Sequence, residues 1–329
     1  MTTGLPFDDF RNLMKELPIR DEAAAEKVRS QFGRMRKPAG SLGRLEEIAE
    51  WLAGWTGRAP AVTRPLVAIF AGNHGVTKRN VSPRPAAATA QMVEMCAAGG
   101  AAINQLCVAY DLGLKVFDLA LHLPTADFVE DAALDERGCA ATMAFGMEAI
   151  AGGVDVIAVG DLGVGNSTVA AAMLAALYGG SGSEWVGPGS GADPSMITRK
   201  AAAVDAALSF HGKNLKEPFE VLRRVGGREF AAIAGVILAA RMQKVAVVLD
   251  GFAATAAAAV LHAANPAALD HCLVGHISAE PGHAKALERL GMKPVLDLRL
   301  SHGEGTGAAL ALGVVKAAAL VHSGMAATL

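Results

Sequence analysis

The sequence predicts an α/β protein: a parallel sheet flanked by helices, with a small helical domain attached. Three observations carry this. Short, valine-rich apolar runs recur at 66–71, 116–119, 154–159, 245–249, 272–274 and 295–300. Most of them stop at a glycine or a polar residue. A longer alanine-rich or amphipathic segment then follows. Periodicity alone cannot separate such short runs from buried helix. Valine enrichment and the glycine stops favour strands, and alternation with helices favours a parallel sheet.

Taken in order, the first sixty residues carry no strand pattern and are expected to be helical. Asp21 is placed to cap a run through Arg29, and Ser41 to open a second helix leading into Trp51 and Trp55. The sheet domain is expected over 65–304. Without a strand to pair with, residues 1–64 are expected to join about 305–329 in the helical domain, whose last helix covers 308–322. The high alanine content suits tightly packed helices.

Composition narrows the function. A chain of 329 residues, 52% hydrophobic, is long enough for one large core. Thirty basic residues against 32 acidic ones, net −2, give no general attraction to nucleic acid or an acidic membrane. Aromatic content of 5% argues against base-stacking platforms. Cys96, Cys107, Cys139 and Cys272 show no Cys-x-x-Cys spacing and fit buried, reduced roles. The first nine residues hold two acids and no apolar core, unlike a signal peptide. The longest apolar stretches, 230–240 and 252–261, fall short of the ~20 residues that span a bilayer. A soluble, cytoplasmic protein is expected.

Parallel sheets bind ligands outside the carboxyl ends of their strands, so the loops after each run are the informative ones. The first holds His74 between glycines, more often a structural residue than a ligand, followed by the stiffening Pro83 and Pro85. Gln91, on the next helix, offers a neutral amide. The loop Gly160-Asp161-Leu162-Gly163-Val164-Gly165-Asn166-Ser167-Thr168 opens a helix of small residues. It fits an anion cradle, and equally a glycine turn capped by Ser167 or Thr168. It lacks the third glycine of a dinucleotide fingerprint and the Gly-Lys-[Ser/Thr] of a Walker A loop.

A second glycine loop, Gly187-Pro188-Gly189-Ser190-Gly191, precedes Arg199-Lys200; a lysine there could neutralise a phosphate. Gly275 to His283 contains two histidines and Glu280, but the spacing does not match a zinc-protease helix. Finally, Gly303-Glu304-Gly305-Thr306-Gly307 puts one carboxylate between glycines at a strand-to-helix crossover. Glu304 is there either a helix cap or a base that receives a proton. Together the loops suggest a small phosphorylated, planar or sugar-bearing substrate and an acid/base residue, with no nucleophile elbow.

In order, these segments resemble a known family. The stretches are Lys37-Pro-Ala-Gly-Ser-Leu-Gly-Arg-Leu-Glu46, Ala71-Gly-Asn-His-Gly-Val76, Ser82…Pro85…Thr89-Ala-Gln91-Met and Gly99-Gly-Ala-Ala-Ile-Asn104. They continue with Gly163-Val-Gly-Asn-Ser-Thr168, Asp250-Gly-Phe252, Gly275-His-Ile-Ser-Ala-Glu280 and Gly303-Glu-Gly-Thr-Gly-Ala308. The set, from about Lys37 to about Leu312, is similar to the nicotinate-nucleotide–dimethylbenzimidazole phosphoribosyltransferases of cobalamin nucleotide-loop assembly.

The resemblance implies a Rossmann-like three-layer domain with a small helical domain, in a homodimer that needs no metal and no cofactor. It implies transfer of the phosphoribosyl group of nicotinate mononucleotide to a benzimidazole nitrogen, releasing nicotinate, with Glu304 as general base. It also implies a base pocket from Ser82, Gln91 and Leu162. Asp161, Gly163, Gly165, Asn166, Ser167, Gly189, Gly191, Lys200 and Ser278 would surround the nucleotide, Lys200 on its phosphate. This chain departs from the family pattern in three places. Asp161 stands where the family usually has glutamate, Arg84 where it has tyrosine, and Ser301-His302 where it has Arg-Leu. His302 either puts a titratable group where a leucine packs on the base, and so bears on which base is accepted, or turns outward and leaves the pocket to close another way. Two readings compete: a non-catalytic nucleotide-binding paralogue or partner subunit, motivated by those departures, and an NAD-type dehydrogenase, disfavoured by the missing glycine fingerprint.

Overall fold

The computed structural model describes residues 4–326; the extreme ends of the expected helical domain, 1–3 and 327–329, lie outside them. All six apolar runs form strands: β1 (Pro65–Ala71), β2 (Gly113–Asp118), β3 (Val156–Leu162), β4 (Ala246–Leu249), β5 (Cys272–His276) and β6 (Pro294–Leu296). Every pairing is parallel, in the order β2-β1-β3-β4-β5-β6. β1, β3 and β4 are buried along their whole length, as a sheet covered on both faces requires. The last run is the exception. Only its first half pairs with β5, and from Asp297 the chain leaves the sheet.

Alternate strand residues feed two cores, following the two-residue repeat of the pleat. Leu66, Ala68, Phe70, Ile157, Val159, Val247 and Leu249 pack under helices that include Asn166–Tyr178, Arg228–Met242 and Phe252–Ala264. Val67, Ile69, Val156, Ala158, Ala246 and Val248 face the helices Arg44–Thr56, Ala102–Tyr110 and Thr306–Gly324. On the first face, Glu136–Met147 lies against Arg228–Met242 at backbone distance. A methyl group on Gly235 would sit 1.9 Å from the Met143 carbonyl oxygen.

The helices Glu22–Gly33 and Arg44–Thr56 pack with the last helix and share the second core with the sheet, whereas Asp8–Leu13 puts Phe10, with Phe7 and Met14 beside it, into the first core. Asp21 caps Glu22–Gly33, its carboxylate accepting from the Ala24 N–H at 2.9 Å. Ser41 does not open the next helix. Gly43, at φ 52°, turns the chain, and the helix begins at Arg44. Glu46 reaches back to the Leu42 N–H (3.1 Å) and to Lys37 Nζ (2.7 Å). Thr306–Gly324 is long and apolar enough to cross a membrane by length and composition, yet Ala308, Leu312, Val315 and Ala319 bury its inner face in the core.

The strand order places the site. The chain runs outward from β1 to β2, then restarts at β3 on the other side of β1. The loops after β1 and β3 therefore diverge over a crevice at the sheet's carboxyl edge.

Candidate active site

A cleft of about 1030 Å³, open mouth included, occupies that edge. Its walls bring together loops far apart in the chain. From β3 come Asp161, Leu162, Gly163, Gly165, Asn166 and Ser167. Gly189 and Lys200 come from the second glycine loop and its helix, and Ser278 from the loop after β5. Ser82, Arg84 and His302 line it as well.

Three expected residues are not on the cleft wall, among them Glu304, which is buried directly behind the wall residues His302 and Gly303. Gln91 is exposed to solvent, and its helix neighbour Met92 lines the cleft instead. Gly191 is exposed beyond the wall, where Ala192 takes its place.

The β3 loop is a cradle rather than a capped turn. Gly165, at φ 87°, is the helix N-cap and provides no side chain, so neither Ser167 nor Thr168 fills that role. Ser167 Oγ instead accepts a 3.0 Å hydrogen bond from Lys200 Nζ, which also donates to the Gly187 carbonyl at 2.5 Å. Lys200 is 1% exposed. Burial presses its pKa down while the Glu280 charge pulls it up. Glu280 in turn accepts from the Gly189 N–H, closing the loop around the ammonium. A buried cation and a hydroxyl thus meet beside a helix start on the cleft wall, which suits a phosphate.

Glu304 has its two expected roles separated by geometry. The start of Thr306–Gly324 is capped by Asp250, at the carboxyl end of β4. Its carboxylate accepts from the Gly305 N–H (3.2 Å) and the Ala308 N–H (2.9 Å). Glu304 is therefore not the cap. Its backbone stands at φ 62° between Gly303 at 78° and Gly305 at 73°, a left-handed run that is costly for a residue with a Cβ. Gly160 on β3 makes room for this loop: a methyl there would lie 2.6 Å from Gly305 Cα. The Glu304 side chain is 1% exposed, and its Oε2 is 3.2 Å from His302 Nε2.

Beneath the cleft lies a set of buried acids and histidines. His74 Nε2 is 2.5 Å from Glu229 Oε1, both side chains sealed from solvent. His276 Nδ1 is 3.7 Å from Asp250 Oδ1. His283 is structural: its Nε2 meets Thr255 Oγ1 at 3.0 Å, and its Nδ1 accepts from the Ser278 N–H at 3.0 Å. Glu229 escaped sequence reasoning because nothing near Gly226-Gly227-Arg228 signals a partner for His74. Asp250 was visible as a post-strand acid, but not as the cap of a helix 55 positions on.

Asp161 accepts a 2.6 Å hydrogen bond from Asn166 Nδ2. Burial, with the Asp250 and Glu229 charges adding, pushes its carboxyl from an ordinary 3.8 up to about 8. Between those values the unfolded chain has lost the proton and the folded chain keeps it, so stability falls as pH rises. Asp161→Asn removes that slope. Its melting temperature relative to the unsubstituted protein should climb between about pH 4 and pH 8, as thermal melts across that window would register. Parallel curves would show that Asp161 is ionised in the folded protein.

Known proteins share this architecture. A family model described as phosphoribosyltransferase matches residues 17–328. The nicotinate-nucleotide–dimethylbenzimidazole phosphoribosyltransferases of Rhizobium meliloti (strain 1021) and Rhizobium rhizogenes (strain K84) are each 65% identical over 324 residues, 98% of this chain and 96% of theirs. The crystal structure of CobT from Thermus thermophilus superposes with a TM-score of 0.87 at 38% identity, covering 93% of this chain and 97% of that one.

Proposed function

The chain belongs to the nicotinate-nucleotide–dimethylbenzimidazole phosphoribosyltransferase family, and from that premise we propose that it transfers the phosphoribosyl group of nicotinate mononucleotide to 5,6-dimethylbenzimidazole or a related base. The products are α-ribazole 5'-phosphate and nicotinate, in cobalamin nucleotide-loop assembly. The observation that carries the reading is Glu304: its helix is capped by Asp250, which leaves its own carboxylate free for the substrate.

The chemistry follows from charge. One benzimidazole nitrogen attacks C1' of the ribose while the bond to the pyridinium nitrogen of nicotinate breaks. The leaving group departs as a neutral ring nitrogen and needs little acid assistance. The attacking ring becomes cationic, and its remaining N–H turns acidic as the new bond forms. Glu304 takes that proton. Lys200, Ser167 and the N–H groups around Gly165 hold the phosphate, with Asp161, Gly163, Asn166, Gly189 and Ser278 around the rest of the nucleotide. Ser82, Leu162 and Met92 border the base, and His302 stands beside them as the residue most able to alter which base is accepted. The helical lobe, with Glu22–Gly33 and Arg44–Thr56 packed on Thr306–Gly324, supports the loop that presents Glu304. We place the enzyme in the cytoplasm as a homodimer. The exposed Val108 and Leu320, on adjoining helices of one face, supply apolar surface for a second subunit.

Incubation with nicotinate mononucleotide and a panel of azoles, purines and phenols tests the reading. Free nicotinate should appear only when a base is present, most rapidly with benzimidazoles. No release with any base would favour a non-catalytic nucleotide-binding paralogue, and release without a base would mean hydrolysis of the nucleotide rather than transfer.

A further inference from the structure

Glu304 has to lose a proton once per turnover, and it sits where water has little access. Its side chain is 1% exposed and its Oε2 is buried without an aligned hydrogen-bond donor. A nucleotide and base bound in the cleft, which His302 and Gly303 line, would cover that side of the loop. The basic group facing that oxygen is His302, Nε2 to Oε2 at 3.2 Å. The His302 side chain is 53% exposed, and it also lines the cleft. One end of the ring thus meets the buried acid while much of the rest meets solvent.

We propose that His302 is the proton exit of this active site, a relay that takes the proton from Glu304 and passes it to water while product is still bound. The proposal rests on Glu304 being the general base. The balance is simple. The new C1'–N bond forms and the nicotinate C1'–N bond breaks; the base's N–H proton moves to a Glu304 oxygen. From there it moves to His302 Nε2, and one proton leaves the imidazole ring for solvent, so each turnover releases one proton. Imidazole is suited to this because its two nitrogens allow entry at one atom and exit at another near neutral pH. The net effect of the surroundings is to raise its pKa above the ordinary imidazole value. The Glu304 contact draws the His302 pKa upward, burial and the Arg84 charge push it down, and Asp250 adds a smaller upward pull.

Rapid-quench and steady-state measurements on His302→Ala and His302→Gln separate this role from a packing one. With base saturating, the first turnover should be slowed clearly less than steady-state kcat, because Glu304 can still accept one proton. Steady-state kcat should fall by ~10-fold or more, the scale of a lost proton-transfer group. Added imidazole should restore His302→Ala in a saturable manner. His302→Gln, which keeps a polar side chain and cannot relay, should stay slow. Unchanged steady-state rates in both variants, or full recovery in His302→Gln, would overturn the relay. A first turnover slowed as much as kcat would also overturn it, placing His302 in the chemical step. Failure of the base assignment itself is distinct: Glu304→Gln would then complete its first turnover normally.

Discussion

Glu304→Gln should abolish turnover while leaving nucleotide binding almost untouched. A general base contributes about 10²–10⁴ in rate, and the amide, though similar in shape, cannot take a proton. Loss of at least ~10³ in kcat is the expected result, since neither Asp250 nor Asp161, the acids beside the loop, is free to replace it. Asp250 is committed to the helix start through Gly305 and Ala308, and Asp161 is bound to Asn166 and holds its own proton to about pH 8. The phosphate cradle is built on other loops, so the Kd for nicotinate mononucleotide by calorimetry should change no more than about twofold. Nicotinate release at near-normal rates from this variant would sink the assignment of Glu304 as the base.

The left-handed backbone at Glu304 makes the same point from the side of stability. A glutamate at φ 62° costs of order 1 kcal/mol or more that glycine would not. Glycine already occupies both neighbouring positions, so the backbone alone gives no reason for a glutamate. A carboxylate kept in a strained, buried position with its capping duty taken by another residue is the arrangement that proton transfer needs.

How far the sequence could be read depended on how local each signal was. The six strands were legible because valine runs and glycine stops act over a few residues. The last run was overextended, from 295 to 300, because Leu298 and Leu300 continue the apolar pattern. In the fold Leu298 is half exposed, while Leu300 lines the cleft and its carbonyl accepts from the Ala279 N–H. Ser41 resembled a helix cap, but a left-handed glycine two residues later set the boundary. Gln91, expected at the base pocket, is exposed, and its neighbour Met92 lines the cleft. Each step along a helix turns the side chain by about 100°, enough to exchange it for Met92 at the cleft wall. The Glu304 loop was visible as chemistry, but that Asp250 rather than Glu304 caps the helix is seen only in three dimensions. The His74–Glu229 pair and the His302–Glu304 contact likewise depend on folded geometry, the first because its partners come from distant loops.

Lys200→Met should act in the opposite sense to Glu304→Gln, on binding rather than on the chemical step. The lysine is buried, and its ammonium is fixed by Ser167 Oγ and the Gly187 carbonyl, with Glu280 supplying the nearby negative charge. A charged hydrogen bond to phosphate is worth about 1.5–3 kcal/mol, or roughly 10- to 150-fold in affinity. Methionine keeps much of the chain length and removes the charge. The KM and Kd for nicotinate mononucleotide should therefore rise by about that factor, while kcat at saturation stays within severalfold. Lys200→Arg should not rescue binding, because a planar guanidinium does not fit the 1% exposed site that the ammonium fills. The methionine substitution also strands Glu280, whose contact with the Gly189 N–H then holds a buried negative charge without its cation. Some loss of thermal stability should accompany the loss of affinity. A Lys200→Met enzyme with an unchanged nucleotide KM would mean that the phosphate lies elsewhere, and that the lysine only braces the Gly187–Gly191 loop.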